Sequence, residues 1–227
     1  MKKILFLLIT LCAAVPVFAA KEKPADTNES PAQVEADYTK AIEGRTANIL
    51  KALDLTDTNK IAYVHDTVMA QWRGLRAWHD ANDSKIKAAG TDTNAVAQIQ
   101  VSLRQMHAAF IAKLSQDLTP EQVEIVKDKM TYGVVQATYN GYLQIVPNLT
   151  DTDKVKIMEL LKDGREEAMD GGSQKEKAAI IKKYKGRINI YLDAHGHNVS
   201  QAYKDWGAAQ KAKAKAAADE DTNATAN

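Results

Sequence analysis

The sequence predicts an all-α protein, folded as a single domain of six to eight helices, and three observations lead to that prediction. First, the 227 residues include only 11 Gly and 5 Pro, whereas a β-sandwich or barrel needs turn residues about every ten positions. Second, 36 residues are Ala, the residue with the highest helix propensity. Third, apolar residues recur at the three- and four-residue spacing of amphipathic helices along most of the chain.

The charge balance argues against a whole class of partners. The chain has 30 Lys and Arg against 29 Asp and Glu, a formal net charge of +1. Proteins that bind nucleic acids or membrane surfaces usually carry a clear basic excess, so we predict no nucleic-acid partner. The sequence also has no phosphate-binding glycine loop, no nucleophile elbow and no HExxH motif. We therefore expect no cofactor, and nucleotide enzymes, serine hydrolases and zinc proteases are disfavoured.

The first element is a predicted secretory signal peptide over residues 1–19. Lys2 and Lys3 form a basic start, an apolar run follows over residues 4–15, and Ala19 ends a segment typical of a signal-peptidase site. The run is too short to cross a bilayer, so we predict no membrane span and a soluble mature protein, exported to the periplasm or the cell exterior. The single cysteine, Cys12, lies in this segment, and the mature chain therefore has no disulfide.

Three further segments follow. Residues 20–32 are polar and proline-bearing and predict a flexible leader. Residues 33–215 carry the helical periodicity and predict the single all-α domain. Residues 216–227 hold almost nothing apolar beyond alanine, which predicts a disordered tail.

Helix starts within the domain share a Leu-Thr pattern. Thr56, Thr119 and Thr150 each follow a leucine and precede an apolar stripe, so each is predicted to cap a helix. Gln122 is placed to complete a capping box with Thr119. The three starts are 63 and 31 residues apart, which is compatible with a degenerate repeat of helical hairpins. The simpler interpretation, which we favour, is one good start signal used three times.

A long stretch of the second half resembles a known family. The segments AKLSQDLTPEQVEIVKDKMTYG (112–133), REEAMDGGSQKEKA (165–178) and KYKGRINIYLDAHGHN (183–198) are similar to an exported bacterial family catalogued as domain of unknown function 3826. The similarity covers about residues 33–207. It implies a secreted helical domain, typical of polysaccharide-degrading bacteria, and it implies no known activity.

A shorter motif points elsewhere. Residues 118–122 read LTPEQ, which resembles the LTxxQ motif of small periplasmic chaperones of the Spy and CpxP type. This resemblance implies a periplasmic chaperone or protein-interaction module. The match spans five residues, and any helix started by proline and a capping box would produce it.

Polar side chains concentrate in the second half, beginning with two carboxylates. Glu166 and Asp170 are four residues apart and so share one helical face. Paired carboxylates carry out glycoside hydrolysis, which makes both residues catalytic candidates. The alternative, which we favour, is a solvated face beside Arg165. Gly171 and Gly172 are then predicted to end the helix before a cap at Ser173.

The segment Lys183-Tyr184-Lys185-Gly186-Arg187 is the second candidate. We predict that Gly186 breaks the helix and lets the cations and the phenol converge. Lys183 and Arg187 would hold a uronate carboxylate, and Tyr184 would stack on the sugar or act as a base. A basic helix end that binds backbone carbonyls is the alternative interpretation. The full set of predicted ligand-binding residues is Arg165, Lys175, Lys183, Tyr184, Arg187, Asn189 and Tyr191.

Two other features were weighed as sites. His195 and His197 are separated by one residue and are weak metal candidates, because a third ligand is required. We therefore predict no metal, with Gly196 ending one helix and Asn198 capping the next. The tryptophans are expected to be buried, although an exposed one would be a platform for a sugar ring.

These observations favour an exported carbohydrate-associated accessory or binding protein that acts beside polysaccharide-degrading enzymes, with an acidic polysaccharide or oligosaccharide as its ligand. One alternative is a polysaccharide lyase or hydrolase acting on acidic glycans. Another is a periplasmic chaperone or protein-interaction module. A sugar site predicts that segments 165–170 and 183–187 face one concave pocket with an exposed aromatic side chain.

Overall fold

The computed structural model describes residues 30–224, with side chains to residue 216. The predicted signal peptide lies outside the described residues. Within them the chain forms helices joined by short turns: α1 Pro31–Leu53, α2 Thr58–Ala89, α3 Thr93–Ile99, α4 Val101–Asp117, α5 Pro120–Met130, α6 Val134–Ile145, α7 Asp151–Met169, α8 Gln174–Ala194 and α9 Val199–Ala224.

The helix content confirms the predicted fold class. Residues 30–224 include no strand. Helices α3 and α4 are separated only by Gln100, so they act as one interrupted helix. Counted in that way, the described chain has eight helical units, which is within the predicted range of six to eight. No helix of the described part is both long enough and apolar enough to span a membrane.

The ends of the domain differ slightly from the predicted boundaries at residues 33 and 215. Helix α1 begins at Pro31, and the Ser30 hydroxyl accepts a hydrogen bond from the Gln33 amide over 3.2 Å. Two residues assigned to the leader therefore belong to the first helical turn. Helix α9 continues to Ala224. The disorder expected of residues 216–227 stays a prediction.

Two of the three predicted threonine caps are confirmed. Thr119 and Thr150 each cap a helix and form a capping box with the third helical residue. The predicted cap at Thr56 is wrong, because Asp57 takes that position and α2 starts at Thr58. The Asp57 carboxylate accepts hydrogen bonds from two backbone amides, at 2.8 and 3.3 Å, and so satisfies two free donors of the first turn.

The core consists of two clusters built from consecutive parts of the chain. The first lies among α1, α2, α4 and α5, and the second lies among α6, α7, α8 and α9. Met169 at the end of α7 is the exception, because it packs into the first cluster. Helix α7 therefore joins the two cores, and its contact with α5 forms the boundary between them.

Helix α8 is continuous, contrary to the predicted break at Gly186. It runs from Gln174 to Ala194, and Gly186 lies on its exposed side with open space around it. A glycine inside a helix costs only about 1 kcal/mol relative to alanine. Burial of Ile181 and Ile188 in the second cluster outweighs that cost, since each buried aliphatic side chain contributes about 1.5–3 kcal/mol.

Candidate functional site

A cavity of about 240 Å³ lies where α1, α2 and the start of α8 meet the turn between α7 and α8. Its wall combines basic, aromatic and small polar side chains. The lining residues are Tyr38, Arg45, Trp72, Leu75, Arg76, Tyr132, Gly171, Gly172, Ser173, Gln174 and Lys177. Because cationic and aromatic side chains meet in this wall, we take the cavity as the candidate site.

Two arginines of the cavity differ in how their charge is balanced. Arg76 forms an ion pair with Glu35 over 2.9 Å, and its guanidinium lies 4.2 Å from the centre of the Tyr38 ring. Arg45 is half-buried, and its guanidinium lies 5.5 Å from the centre of the Trp72 ring. No carboxylate of residues 30–216 pairs with Arg45. Arg45 therefore carries a positive charge that an anionic ligand in the cavity would neutralise.

Lys177 is the third cation of the cavity and is only 3% exposed. Its Nζ donates hydrogen bonds to the carbonyl oxygens of Ala168 and Met169, at 2.7 and 2.8 Å. Lys177 thereby caps the last carbonyls of α7. Burial lowers its pKa to about 8, and the positive charge of Arg45 adds to this effect.

The aromatic side chains are held firmly. Trp72 is 6% exposed, as expected for a core tryptophan, and its indole N–H has no hydrogen-bond partner. Tyr132 has φ +59°, and the next residue, Gly133, has φ +66°. A bulky residue with positive φ is a strained conformation, and such strain is often found at functional sites. The Tyr132 residue with this backbone conformation lines the cavity.

The α7–α8 turn is fixed to α2 by a histidine. His79 Nε2 donates a hydrogen bond to the Asp170 carbonyl over 2.8 Å, and its Nδ1 lies 2.8 Å from the Asp83 carboxylate. The predicted end of α7 before Gly171 and Gly172 is confirmed, as is the Ser173 cap, whose hydroxyl accepts from the Glu176 amide. This turn forms one side of the cavity.

The predicted carboxylate pair is bridged by a histidine that the sequence analysis did not single out. His107 Nδ1 lies 3.0 Å from Asp170, and its Nε2 lies 3.4 Å from Glu166. Hydrogen bonds to the two carboxylates raise the pKa of His107 to about 9. Burial opposes ionisation of Glu166, but its hydrogen bonds to His107 and Arg165 prevail and hold its pKa at about 2. Glu166 therefore stays ionised at neutral pH, which does not suit a general acid.

Arg165 links α7 to α5 and does not line the cavity. It is 2% exposed, and its guanidinium bonds to Asp128, Glu124 and Glu166 over 2.8, 2.8 and 3.0 Å. Its position and its three carboxylate partners give it a structural role at the boundary between the two cores, although its buried Nε has no hydrogen-bond partner among the described residues.

Lys183, Tyr184 and Arg187 do come together, but away from the cavity. The Lys183 amine and the Arg187 guanidinium lie 5.1 and 4.6 Å from the centre of the Tyr184 ring. The ring is 7% exposed and packs against Gly164 of α7. Burial raises the pKa of Tyr184, which keeps the phenol protonated at neutral pH and so unable to act as a base, and Lys183 pairs with Glu167 over 2.6 Å. Segments 165–170 and 183–187 therefore do not share the cavity.

The remaining predicted ligand-binding residues have other partners or none nearby. Asn189 Oδ1 accepts a hydrogen bond from the Tyr142 hydroxyl over 2.7 Å. Tyr191 packs against His195, with ring centres 4.1 Å apart. Lys175 is exposed on α8. None of the three lines the cavity.

His195 and His197 point to different groups. The His195 ring donates to the Tyr191 carbonyl over 2.8 Å, whereas His197 lies 3.0 Å from Asp153. Gly196 has φ +89°, and Asn198 accepts a hydrogen bond from the Gln201 amide, so the predicted helix end and cap are confirmed. Residues 30–216 contain no group of three or more His, Cys, Asp or Glu side chains placed to hold a metal ion.

A second cavity, of about 360 Å³, lies between the α6–α7 and α8–α9 turns and the start of α9. Its polar lining is largely neutral amides, and its one carboxylate, Asp205, accepts a hydrogen bond from Gln201 over 2.8 Å. His197, also in its wall, is paired with Asp153. It is larger than the first cavity, but the described residues of its wall include no lysine, arginine, tyrosine or tryptophan.

Arg45, Tyr132 and Lys177 were not predicted as site residues from the sequence. For Lys177, the sequence does contain one indication of a buried position. It is in register with Ile181 and Ile188 on the apolar stripe of α8, and a lysine on a buried stripe is rare unless something specific holds it. Arg45 and Tyr132 are not marked by any local pattern.

Comparison with known proteins agrees with the resemblance noted in the sequence. A family model described as a protein of unknown function, DUF3826, matches residues 39–214, which is well over half of the chain. A search of curated proteins finds no match.

Proposed function

The chain belongs to the DUF3826 family of proteins of unknown function, and from that premise we propose that it binds an acidic carbohydrate as an accessory to polysaccharide-degrading enzymes. The proposed site is the cavity between α1, α2 and the α7–α8 turn. The observation that carries the proposal is Arg45, a half-buried guanidinium on the cavity wall with no carboxylate partner among the described side chains.

The chemistry of the wall suits a uronate sugar. A guanidinium binds a carboxylate through two parallel hydrogen bonds, and Arg45 and Arg76 lie on the same wall. Aromatic side chains offer apolar faces against which a sugar ring packs, with polar atoms at their edges. Tyr132 lies on the wall in that position, and Ser173 and Gln174 line the same cavity with groups of the kind that hydrogen-bond to hydroxyls.

The size of the cavity limits the ligand. Pockets for drug-sized ligands are about 300–1,000 Å³, and this cavity is about 240 Å³. One sugar ring or the end of an oligosaccharide fits such a space better than the middle of a polymer. In this proposal the protein captures chain ends or released fragments.

The proposed setting is outside the cytoplasm. It rests on the predicted signal peptide at residues 1–19, which gives the chain an exported location in the periplasm or beyond the cell. Polysaccharide fragments are produced in that setting, and a binding protein there would retain them near the enzymes.

Binding is favoured over catalysis by the state of the predicted catalytic residues. Because its pKa is low, Glu166 is ionised at neutral pH, and Asp170 is paired with His107. Tyr184 is covered by α7, and its pKa is raised. A lyase or hydrolase that used these groups would need a different arrangement of α7 and α8.

The test is calorimetric and thermal-shift titration of residues 20–227 with methyl glucuronoside, galacturonate oligosaccharides and neutral glucose. A ligand at a hundred times its Kd adds about 2.7 kcal/mol of stability, or roughly 5–10 °C for a domain of this size. We expect a shift with the acidic sugars and none with glucose.

Two variants identify the site. Arg45→Met removes the unbalanced charge and should weaken acidic-sugar binding at least about tenfold. Arg73→Met is the matched control, because Arg73 is exposed on α2, pairs with Glu35 over 2.8 Å and does not line the cavity. The absence of a shift with every acidic sugar would contradict the proposal. Loss of binding in Arg187→Met and not in Arg45→Met would place the site on α8 instead.

A further inference from the structure

We propose that Lys177 is a carbonyl-reactive amine that forms an imine with the aldehyde or ketone group of an acidic ligand held in the cavity. This inference rests on the proposed function, because the same cavity must first bind the ligand. The reducing end of a uronic acid, in its open-chain form, has the required pair of groups, a carbonyl and a carboxylate.

The contacts of Lys177 make its neutral form more accessible than that of an exposed lysine. A buried ammonium is normally balanced by a carboxylate, since an unpaired buried charge is costly. Among the described side chains, no carboxylate lies within ion-pair distance of Nζ; its hydrogen bonds go to the Ala168 and Met169 carbonyls. In the neutral form the two N–H groups satisfy these two acceptors, and the lone pair of the nitrogen is left free.

The charged groups around Lys177 come from each element packed against it. Burial and Arg45 of α1 lower its pKa, and Asp170 and Glu176 oppose them. His79 of α2 packs on the neighbouring turn and has a raised pKa. The resulting pKa of about 8 compares with about 10.4 for a free lysine, so the neutral fraction at pH 7 is on the order of a hundred times larger.

Arg45 and Lys177 are placed to bind two ends of one small molecule. Both cations lie beside the Trp72 ring, with the guanidinium 5.5 Å and the amine 5.6 Å from its centre. Both also line the cavity. Because both residues line one cavity, we infer that a ligand whose carboxylate is bound by Arg45 also has its carbonyl group in the space that Lys177 borders.

The reaction needs no other reagent. The lone pair of Nζ forms a bond to the carbonyl carbon, the carbon–oxygen π electrons move to oxygen, and a proton passes from nitrogen to that oxygen. The carbinolamine then loses the hydroxyl as water, and the nitrogen gives up its second proton as the carbon–nitrogen double bond forms. Water is the only by-product, and hydrolysis reverses the step.

The test uses glyoxylate, a small aldehyde that carries a carboxylate, together with sodium cyanoborohydride. The borohydride reduces an imine to a stable carboxymethyl amine, which peptide mass spectrometry locates. Lys175 is the internal control, because it is exposed on the same helix. At pH 7 we expect Lys177 to be labelled at least about tenfold faster than Lys175, owing to its larger neutral fraction.

Two variants separate reactivity from structure. Lys177→Arg keeps a cationic cap for α7 and cannot form an imine, so it should remain folded and lose this label. Arg45→Met should slow labelling of Lys177 about tenfold by removing the carboxylate partner, with labelling of Lys175 unchanged. Equal labelling of the two lysines, or no effect of Arg45→Met, would overturn the inference.

Methyl glucuronoside distinguishes this inference from the proposed function, because it has a carboxylate and no free aldehyde. If methyl glucuronoside binds but glyoxylate does not label Lys177 selectively, the imine proposal is overturned and the proposed binding function stands. Absence of both would overturn both proposals.

Discussion

The ring of His79 packs directly against the α-carbon of Gly172. A Cβ atom at residue 172 would lie 2.6 Å from Cγ of that ring, closer than real Cβ contacts allow. The ring has little freedom to move away, because its nitrogens bond to Asp83 and to the Asp170 carbonyl over 2.8 Å each. The glycine is therefore a steric requirement for attaching the α7–α8 turn to α2.

Gly172→Ala should destabilise the protein by about 1–3 kcal/mol, the usual effect of overpacking a fixed contact. Urea denaturation followed by circular dichroism measures the change. Gly186→Ala is the control: its site has open space in the middle of α8, so alanine should stabilise by about 0.5–1 kcal/mol. Equal effects of the two substitutions would contradict this account of the turn.

Arg165→Met should cost about 3 kcal/mol of stability, because it leaves three carboxylates without their shared buried cation. Denaturation midpoints of the purified variants give the value. Lys162→Met is the matched control on the same helix, since its exposed amine is 4.0 Å from Glu124 and should change stability by less than about 1 kcal/mol. A tolerated Arg165→Met would show that the link between α5 and α7 does not depend on this residue.

The stability of the protein should fall as the pH rises above neutrality because of His107. The folded-state pKa of His107 is raised to about 9 from 6.5, so its contribution is fully present below about pH 6.5. The contribution is lost as the pH rises through 9. Between pH 6 and pH 8 we expect the wild type to lose about 2 kcal/mol more than His107→Gln.

Chemical denaturation at pH 6, 7 and 8 checks this difference. His65 and His79 also have raised pKa values, and comparison with the variant removes their shared contribution. The lowered pKa of Lys177, about 8, acts in the opposite sense and stabilises the fold only as the pH rises from about 8 toward 10.5. Parallel stability curves for wild type and variant over pH 6–8 would refute the role of His107.

Tyr132→Gly should separate stability from binding. Glycine relieves the strain of the positive φ, a gain of about 1–2 kcal/mol, and loses the contacts of a half-buried ring. The net change in unfolding free energy should be within about 1 kcal/mol, whereas acidic-sugar affinity should fall. Tyr132→Phe keeps the ring and should bind acidic sugars as the wild type does. If both variants bind weakly while keeping full stability, the contribution of Tyr132 to binding comes from its hydroxyl and not from its ring.

Local signals in the sequence predicted the fold well. Apolar stripes at helical spacing and the caps at Thr119, Thr150 and Ser173 depend on neighbours within one or two turns, and these features are confirmed. The predictions for Thr56 and Gly186 were wrong for the same kind of reason. At Thr56, the weak preference of threonine for the cap position was outweighed by the carboxylate of Asp57, which is the better hydrogen-bonding group. At Gly186, the weak preference of glycine for a helix break was outweighed by burial of the apolar stripe of α8.

The candidate site was predicted only in part, because its groups come from distant parts of the chain. Polar side chains were predicted to concentrate in the second half of the chain, and that part supplies the α7–α8 turn and Lys177 to the cavity. Arg45, Trp72 and Tyr132 come from three other elements, and only tertiary packing brings them together. Arg165, by contrast, was predicted to bind ligand and Glu166 to be catalytic, because their partners on α4 and α5 are far away in sequence.

The arrangement of the two cores has a consequence for the order of folding. Residues 42–130 supply nearly all of the first cluster and residues 134–202 all of the second, so the chain can complete most of one core before the next begins to emerge. Helical contacts within each stretch are mostly local, which favours fast folding. Met169 and the α7–α8 turn then dock onto a preformed surface, and the cavity exists only after that last step.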